Sequence, residues 1–221
     1  MKLSKAELVR ILETTILKPD GTRQEVITLC EEALKYNFVV ACTHPCYTSL
    51  AKSIVKGSST KVMTPVGFPF GANTTAVKVY EAQDAIKNGA DELDMMLAIG
   101  PLKDKMYDVV RDDVRAVVRV AEGRTVKVIL ETALLSREEK VTACHLAMEA
   151  GAQFVKTSTG NALPGATVED LKLMRQTVGP DFGVKASGGI NELSQVLAFI
   201  EAGANRVASR SAVQIVNALQ V

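Results

Sequence analysis

The fold is decided by the stretch Ala150-Gly-Ala-Gln-Phe-Val-Lys156, in which an amphipathic segment ends at a glycine and a short apolar run follows. Glycine is the residue that most easily takes the left-handed conformation that ends a helix. Two further stretches repeat the arrangement, Asn88-Gly-Ala-Asp-Glu-Leu-Asp94 and Ala202-Gly-Ala-Asn-Arg-Val-Ala208. The repeat predicts a helix, a tight turn and a strand in succession.

Eight short segments are candidate strands, and most have the near-continuous apolar character of parallel strands that are covered on both faces. They lie near Glu13–Leu17, Phe38–Cys42, Lys61–Val66, Glu92–Met96, Val126–Glu131, Phe154–Thr157, Gly183–Ala186 and Arg206–Ser209. Helical periodicity follows each of them, so the pattern predicts an α/β protein with a (β/α)8 TIM barrel. A short extra helix that begins near Ser4 precedes the first strand. An open doubly wound sheet is the alternative, but eight units favour the closed barrel.

The length and composition of the chain are those of a single globular domain. No linker rich in proline, serine or charge interrupts the alternation, so we expect one barrel domain over residues 1–221. Lysine and arginine number 26 against 25 acidic residues, and tryptophan is absent. A nearly neutral chain with few aromatic residues lacks the basic, stacking surface that nucleic acids require. Small polar substrates fit better.

The chain shows no segment for export or membrane insertion. The N-terminal residues have no apolar core of a signal peptide, and no apolar run reaches about 18 residues. We therefore expect a soluble, cytoplasmic protein without a membrane partner. The stretch Cys42-Thr-His44-Pro-Cys46 resembles a metal cluster but lacks a fourth ligand at useful spacing, so no metal is expected.

Two lysines stand at matching points of two similar phrases, Phe154-Val-Lys-Thr-Ser-Thr-Gly160 and Phe182-Gly-Val-Lys-Ala-Ser-Gly-Gly189. Lys156 and Lys185 are 29 positions apart, which is one strand-helix-strand unit. If the two strands pair in parallel, both ammonium groups reach the same edge of the sheet. Repulsion between them lowers the pKa of at least one, and a neutral lysine is an amine nucleophile. This pattern is typical of Schiff-base chemistry.

Asp94 lies among apolar neighbours in the fourth predicted strand. A buried carboxylate is costly unless it is paired, so a structural salt bridge with a lysine is one interpretation. Together with Lys156 and Lys185 at one barrel mouth, however, Asp94 completes a nucleophile, a cation that lowers its pKa, and a proton relay. Lys127 sits earlier in its strand and is assigned no role.

Small and polar residues follow the sixth, seventh and eighth strands. In this fold the loops after strands seven and eight often hold a phosphate on backbone N–H groups. The candidate phosphate-binding residues are Thr159, Gly160, Gly188, Gly189, Ser209, Arg210 and Ser211. A simple turn at the glycines and an exposed side chain at Arg210 are the alternatives.

Four phrases together resemble those of the deoxyribose-phosphate aldolase family of class I aldolases. They are Val66-Gly-Phe-Pro-Phe-Gly-Ala-Asn-Thr-Thr75, Asn88-Gly-Ala-Asp-Glu-Leu-Asp-Met95, Phe154-Val-Lys-Thr-Ser-Thr-Gly160 and Val184-Lys-Ala-Ser-Gly-Gly-Ile190, and the likeness runs from about Leu12 to Ile215. The resemblance implies reversible cleavage of 2-deoxy-D-ribose 5-phosphate to D-glyceraldehyde 3-phosphate and acetaldehyde, in deoxyribose catabolism. It also implies that no metal or cofactor takes part.

The resemblance assigns roles that the residues alone leave open. By this likeness Lys156 forms the Schiff base, Lys185 perturbs its pKa, and Asp94 relays protons. Two other functions are weighed against it. One is a phosphate-binding barrel whose lysine attacks a different sugar or keto acid, and the other is an inactive barrel that acts as a sugar-phosphate sensor or an interaction protein. Barrels of this type often pair through their outer helices, so we expect a homodimer or homotetramer.

The chain departs from the family pattern at three places. Members often read Asp-His-Thr where this chain has Glu13-Thr14-Thr15, so Thr15 is the expected substrate contact there. Ala208-Ser209-Arg210-Ser211 replaces a Gly-x-Ser-Ser phrase, so we expect an altered phosphate grip. Some members end in a tail with a tyrosine, whereas this chain ends Asn217-Ala-Leu-Gln-Val221, and no relay through such a tail is expected.

Overall fold

Eight parallel strands close into a barrel in a computed structural model that describes residues 3–161 and 164–219. Of the C-terminal segment considered above, residues 220–221 lie outside the described residues. The strands are β1 Leu12–Ile16, β2 Val40–Thr43, β3 Lys61–Val66, β4 Glu92–Met96, β5 Thr125–Ile129, β6 Phe154–Lys156, β7 Gly183–Ser187 and β8 Arg206–Ser209. Each strand pairs with its neighbours along the chain, and β1 pairs with β8. The prediction of a TIM barrel is confirmed.

Helices cover the outside of the barrel. They are α1 Lys5–Ile11, α2 Arg23–Tyr36, α3 Thr48–Val55, α4 Thr75–Lys87, α5 Ile99–Lys103, α6 Tyr107–Val120, α7 Arg137–Glu149, α8 Val168–Val178, α9 Leu193–Glu201 and α10 Ala212–Ala218. Short 3-10 turns occupy Pro45–Tyr47 and Thr132–Leu134. Among the described helices, none is long and apolar enough to cross a membrane.

Local sequence explains where several elements begin and end. The extra N-terminal helix α1 begins after Ser4, whose side chain and that of Glu7 form a capping box. The glycine of each repeated phrase has a positive φ, at 100° for Gly89, 87° for Gly151 and 106° for Gly203. These left-handed residues turn the chain from a helix into the next strand, as the repeat predicts.

The fifth strand ends earlier than its apolar pattern predicts. β5 stops at Ile129, whereas the run of strand-like residues extends to Glu131. Glu131 has φ 54° and ψ 64°, a left-handed conformation that a strand cannot contain. The prediction of the strand end at Glu131 was therefore wrong by two residues.

Apolar packing differs between the two sides of the sheet. Outside the barrel, buried side chains from the helices and strands form one large cluster that includes Leu8, Val26 and Phe38. Inside it, a much smaller apolar cluster joins Leu17, Val40, Cys42 and Met63 near the first three strands. The opposite half of the interior contains buried charged side chains, and these build the site.

Candidate active site

The two lysines of the matching phrases lie directly opposite each other. Lys156 on β6 pairs in register with Lys185 on β7, and both side chains are buried. Asp94 pairs in register with Lys127 on β5, and Ile129 lies beside Lys156. Because the strands are parallel and the side chains point inward, the three residues singled out from the sequence meet inside the barrel.

Asp94 is the centre of the site. Its Oδ2 accepts hydrogen bonds from Lys156 Nζ at 2.9 Å and from Lys185 Nζ at 2.8 Å. Its Oδ1 accepts one from Lys127 Nζ at 3.0 Å. The carboxylate therefore holds three ammonium groups, one more than the sequence predicts.

Further carboxylates complete the buried network. Glu13 contacts Lys185 Nζ through Oε2 and faces Arg206 Nη1 at 3.6 Å through Oε1. Glu92 Oε2 lies 2.6 Å from Lys127 Nζ, and its Oε1 accepts a hydrogen bond from Lys61 at 3.0 Å. Each of the two inner lysines, Lys127 and Lys185, thus has a carboxylate in addition to Asp94.

Sequence reasoning missed Glu13, Glu92 and Lys127 as members of this network. One signal was present: Glu92 and Asp94 are two residues apart on a strand and so share a face. Lys127 carried no such signal, because its orientation depends on its register with Asp94 on β4. In the sequence, Glu13 stands out only as a departure from the family pattern.

The pKa values of Asp94 and Lys156 are both lowered by their surroundings. Burial opposes ionisation of Asp94, but Lys127, Lys156 and Lys185 outweigh it and hold its pKa well below the usual range. Burial is also the main cause that lowers the pKa of Lys156, and Lys185 lowers it further against the opposing pull of Asp94. Lys156 is therefore the lysine that gives up its proton more readily.

The pKa values of the two inner lysines, Lys127 and Lys185, are raised, whereas that of Lys156 is lowered. Burial disfavours their charged forms, yet Asp94 and Glu13 raise the pKa of Lys185, and Asp94, Glu13 and Glu92 raise that of Lys127. Both stay cations near neutral pH. The site thus contains one lysine that loses its proton readily, Lys156, and two lysines that keep their positive charge, Lys127 and Lys185.

A cavity of about 150 Å³ lies above Lys156, and we call it the lysine cavity. Its described walls come from the ends of strands and the loops after them. They include Thr15, Leu17, Lys18, Met63, Thr159, Gly160, Asn161, Ser187, Gly188, Gly189, Ile190, Asn191, Ala208, Ser209 and Arg210. The structure therefore brings Lys156 together with seven of the eight residues predicted to bind substrate or phosphate, Thr15 among them.

Some of those residues have their hydrogen-bonding groups engaged. Thr159 donates its N–H and hydroxyl to Glu131 Oε2, at 3.2 and 2.6 Å. Ser209 donates its hydroxyl to Ile190 O at 2.6 Å. Ser211, the residue outside the lining, donates its N–H to Ser209 Oγ at 2.9 Å. Thr159 and Ser209 therefore shape the cavity, and their hydroxyl donors are not free to bind a phosphate.

Arg210 and the glycines present the remaining polar surface. Arg210 is exposed and forms no ion pair with any described residue. Gly188 has φ 90°, and a Cβ there would lie 2.9 Å from Gly165 Cα and 3.2 Å from Gly160 Cα. Only glycine fits where these three backbones approach one another, so this part of the cavity wall is made of main chain.

In the described part of the chain, the stretch around His44 belongs to no group of three or more His, Cys, Asp or Glu side chains that could hold a metal ion. His44 Nε2 lies 3.1 Å from Lys18 O. Cys42 is buried beside Met63, and burial raises the pKa of its thiol to about 11. Both residues are accounted for by packing and local hydrogen bonds.

Comparison with known protein families identifies the chain's family. A family model described as the DeoC/LacD family aldolase matches residues 12–212. The chain belongs to the DeoC/LacD aldolase family. It is therefore an aldolase, a carbon–carbon lyase, and the resemblance seen in its sequence is confirmed.

Relatives of the DeoC/LacD family match nearly the whole chain. A protein of Enterococcus faecalis named deoxyribose-phosphate aldolase is 54% identical over 212 residues, which cover 96% of each chain. One of the same name from Thermococcus kodakarensis is 52% identical over 218 residues and 97% of each chain. A solved structure described as the unique tetrameric structure of deoxyribose phosphate aldolase from Aeropyrum pernix is 31% identical, with a TM-score of 0.90. The match covers 97% of this chain and 91% of that one.

Proposed function

We propose that this aldolase reversibly cleaves 2-deoxy-D-ribose 5-phosphate to D-glyceraldehyde 3-phosphate and acetaldehyde through a Schiff base on Lys156. One observation carries the proposal: the lysine below the cavity has a lowered pKa, while the lysine opposite it shares the same carboxylate and keeps its charge. The names of the relatives supply the substrate.

The amine of Lys156 attacks the C1 aldehyde of the open-chain sugar, and loss of water gives an iminium. The iminium accepts the electron pair of the C2–C3 bond as that bond breaks, so an enamine forms in place of a bare carbanion. The C3 hydroxyl gives up its proton as glyceraldehyde 3-phosphate leaves. Protonation of the enamine at C2 and hydrolysis then release acetaldehyde and restore the amine.

Asp94 is assigned the proton transfers. Its pKa is held low by three lysines, so it is a carboxylate before the substrate arrives. Because Asp94 is buried beneath Lys156, we assign its exchange with the substrate hydroxyl to a bridging water. Lys185 is a cation 2.8 Å from the Asp94 oxygen that also contacts Lys156, and it supplies or recovers the proton there.

The phosphate is assigned to the end of the lysine cavity formed by Gly188, Gly189 and Arg210. The guanidinium has no partner among the described residues and suits a dianion. Glu131 already holds both donors of Thr159, so that residue serves as wall and not as a phosphate ligand.

Borohydride trapping tests the proposal. Reduction in the presence of acetaldehyde should add an ethyl group to one lysine, and peptide mapping should place it at Lys156. A Lys156→Met variant is the control and should take up no label at that peptide. Labelling at Lys185 or Lys127, or no labelling at all, contradicts the mechanism.

Substrate choice is tested separately. Turnover of 2-deoxy-D-ribose 5-phosphate should exceed that of other phosphorylated sugars and keto acids. Faster turnover of a different phosphorylated sugar would mean that this sugar is the substrate of the same Schiff-base mechanism. Binding of the sugar phosphate without turnover would indicate a sensor.

The biological setting follows from the same assignment. We propose a role in deoxyribose catabolism in the cytoplasm, and a homodimer or homotetramer as the working form. The tetramer named for the Aeropyrum pernix relative supports the assembly. Sedimentation equilibrium of the purified chain measures its mass in solution and distinguishes these states from a monomer.

A further inference from the structure

Glu131 is a buried carboxylate that the proposed mechanism does not use. It lies just after the end of β5 and is 6% exposed. No lysine or arginine in the described part of the chain forms an ion pair with it. A buried carboxylate without a cation is costly, and an apolar side chain would fill the same space at a lower cost. The residues that Glu131 contacts therefore indicate what it does.

The backbone of Glu131 is also unusual. Four described residues other than glycine have a positive φ, and Glu131 is the buried one among them, the others being Asn37, Lys105 and Glu122. A left-handed backbone is disfavoured for a residue with a Cβ and persists where the surrounding contacts hold it. Such residues cluster at functional sites.

The main chain at the end of β5 holds the loop that follows β6. We call this loop, residues 157–161, the β6 loop. Leu130 N–H donates to Lys156 O at 2.9 Å, and Thr132 N–H donates to Thr157 O at 3.0 Å. The pairing of the two strands therefore continues past their ends, as far as the first residue of the β6 loop.

The Glu131 carboxylate extends this hold further along the β6 loop. Its Oε2 accepts the N–H of Thr159 at 3.2 Å and the hydroxyl of Thr159 at 2.6 Å. Among the described residues, Thr159 is the only donor to this carboxylate. Hydrogen bonds to a charged acceptor are stronger than those between neutral groups, so one carboxylate oxygen anchors Thr159 through two donors.

The β6 loop connects this anchor to the end of the lysine cavity where the phosphate is assigned. Thr159 and Gly160 both line the lysine cavity. Gly160 packs so closely on Gly188 that a Cβ on either would lie 3.2 Å from the Cα of the other. A displacement of Thr159 would therefore move Gly160 relative to Gly188 and change the shape of the phosphate end.

We propose that Glu131 is a positioning residue that holds the β6 loop in the shape that binds the phosphate end of the sugar phosphate. This rests on the proposed function, which supplies the substrate. Burial, Asp94 and Lys185 have the largest effects on the pKa of Lys156. Loss of the Glu131 carboxylate should therefore weaken substrate binding and leave the ionisation of the amine as it is.

Glu131→Ala tests the proposal. Alanine keeps a Cβ, so the backbone preference at this position stays and the carboxylate alone is lost. KM for 2-deoxy-D-ribose 5-phosphate should rise about tenfold or more, the effect of losing a hydrogen bond to a charged group, while kcat stays within about threefold. The acidic limb of the pH–rate profile should not move. Acetaldehyde and borohydride should label Lys156 at an unchanged rate, because acetaldehyde has no phosphate.

Glu7→Ala is the matched control. Glu7 Oε2 accepts the N–H and the hydroxyl of Ser4 at 2.8 and 2.6 Å, which is the same pair of bonds at an exposed helix end. Glu7 does not line the lysine cavity. Loss of this cap should lower the melting temperature and leave KM and kcat unchanged. Glu131→Gln keeps one oxygen acceptor and the volume of the side chain, so its KM should lie between those of Glu131→Ala and the unmodified chain.

The outcomes separate this inference from the proposed function. An unchanged KM in Glu131→Ala, an equal rise in Glu7→Ala, or no recovery in Glu131→Gln overturns the positioning role while sugar-phosphate cleavage stands. A shifted acidic limb or slower labelling of Lys156 in Glu131→Ala also overturns it, because Glu131 would then act on the amine. If Glu131→Ala does not fold, Glu131→Gln decides: a raised KM supports the role, and an unchanged KM overturns it. If the unmodified chain neither cleaves the sugar phosphate nor takes the borohydride label, both proposals fail.

Discussion

Lys156 and Lys185 face each other in register on β6 and β7, and their ammonium groups share one oxygen of Asp94. Lys185 has a second carboxylate in Glu13, just as Lys127 has Glu92. Among the described residues, the only carboxylate that contacts Lys156 is Asp94, through the oxygen that Lys185 also contacts. The two lysines are equally buried, but Lys185 has two carboxylate partners and Lys156 shares one. Lys156 is therefore the lysine that loses its proton more readily.

The first prediction concerns Lys185→Met. Lys185 is a cation that lowers the pKa of Lys156, so its removal should raise that pKa toward the usual range, although burial still opposes the charge. Lys156 must be neutral to attack, so the acidic limb of kcat/KM should move to higher pH. Each unit of that movement reduces the neutral fraction near pH 7 about tenfold. A pH–rate profile measures the shift.

Lys172→Met is the control for this prediction. Lys172 is exposed on α8, so its removal changes the net charge equally but leaves the interior intact. Its profile should overlay that of the unmodified chain. If the Lys185→Met profile also overlays it, the coupling between the two lysines is absent.

The second prediction compares two buried carboxylates. Asp94 lies in the site. Asp113 lies on α6, where its carboxylate accepts a hydrogen bond from buried Lys78 of α4 at 2.6 Å. Breaking either buried pair should destabilise the fold by about 3–5 kcal/mol. Asp94→Asn should also reduce kcat by roughly 10² to 10⁴, the usual contribution of a general acid or base.

Asp113→Asn should lose stability but keep kcat within about threefold, because no group of the reaction contacts it. Thermal unfolding and steady-state kinetics of the two variants separate the effects. Equal losses of kcat would mean that Asp94 acts only as a structural counter-ion, the alternative that its sequence context left open.

The fold was predictable because its signals are local and repeated. Gly89, Gly151 and Gly203 end helices by adopting positive φ, and the apolar runs after them become strands. Eight such units leave few topologies, since parallel strands joined by helices close at this number. The end of β5 could not be predicted in this way, because nothing in the pattern announces the left-handed conformation of Glu131.

The site was predictable where its residues sit at equivalent points of similar phrases. Lys156 and Lys185 follow the same apolar run on neighbouring strands, so local pattern alone brings them together. Glu13 reaches Lys185 from the strand on the far side of β8, and the barrel must close before the two can meet. Contacts of this kind depend on register across several strands, which no short pattern specifies.

The third prediction concerns acid stability. Burial opposes the charge of Glu92, but Lys127 and Lys61 outweigh it and lower its pKa from 4.5 to about 2. A group whose pKa is depressed by folding stabilises the protein above its unfolded pKa, and this contribution is lost as pH falls toward the folded value. About 3 kcal/mol should therefore disappear between roughly pH 4.5 and 2, at 1.36 kcal/mol per unit.

Glu92→Gln should remove that part of the pH dependence. The variant should be less stable than the unmodified chain at pH 7, and the difference between them should narrow as the pH is lowered to 2.5. Calorimetric melting temperatures across this range measure it. A difference that stays constant with pH would show that Glu92 contributes no ionisation-linked stability.

The last prediction tests the phosphate grip at Arg210, where the chain departs from its family's pattern. Arg210 lines the lysine cavity and has no ion-pair partner among the described residues, so Arg210→Ala removes a charge without leaving a described partner unpaired. A charge-assisted bond to phosphate contributes roughly 1.5–3 kcal/mol, so kcat/KM for 2-deoxy-D-ribose 5-phosphate should fall about 10- to 150-fold, mainly through KM. Unphosphorylated 2-deoxy-D-ribose should react equally well with both proteins, and Arg210→Lys should recover part of the loss because it keeps the charge but not the paired donors. Equal losses for both sugars would place Arg210 outside the phosphate site and assign its effect to the shape of the cavity.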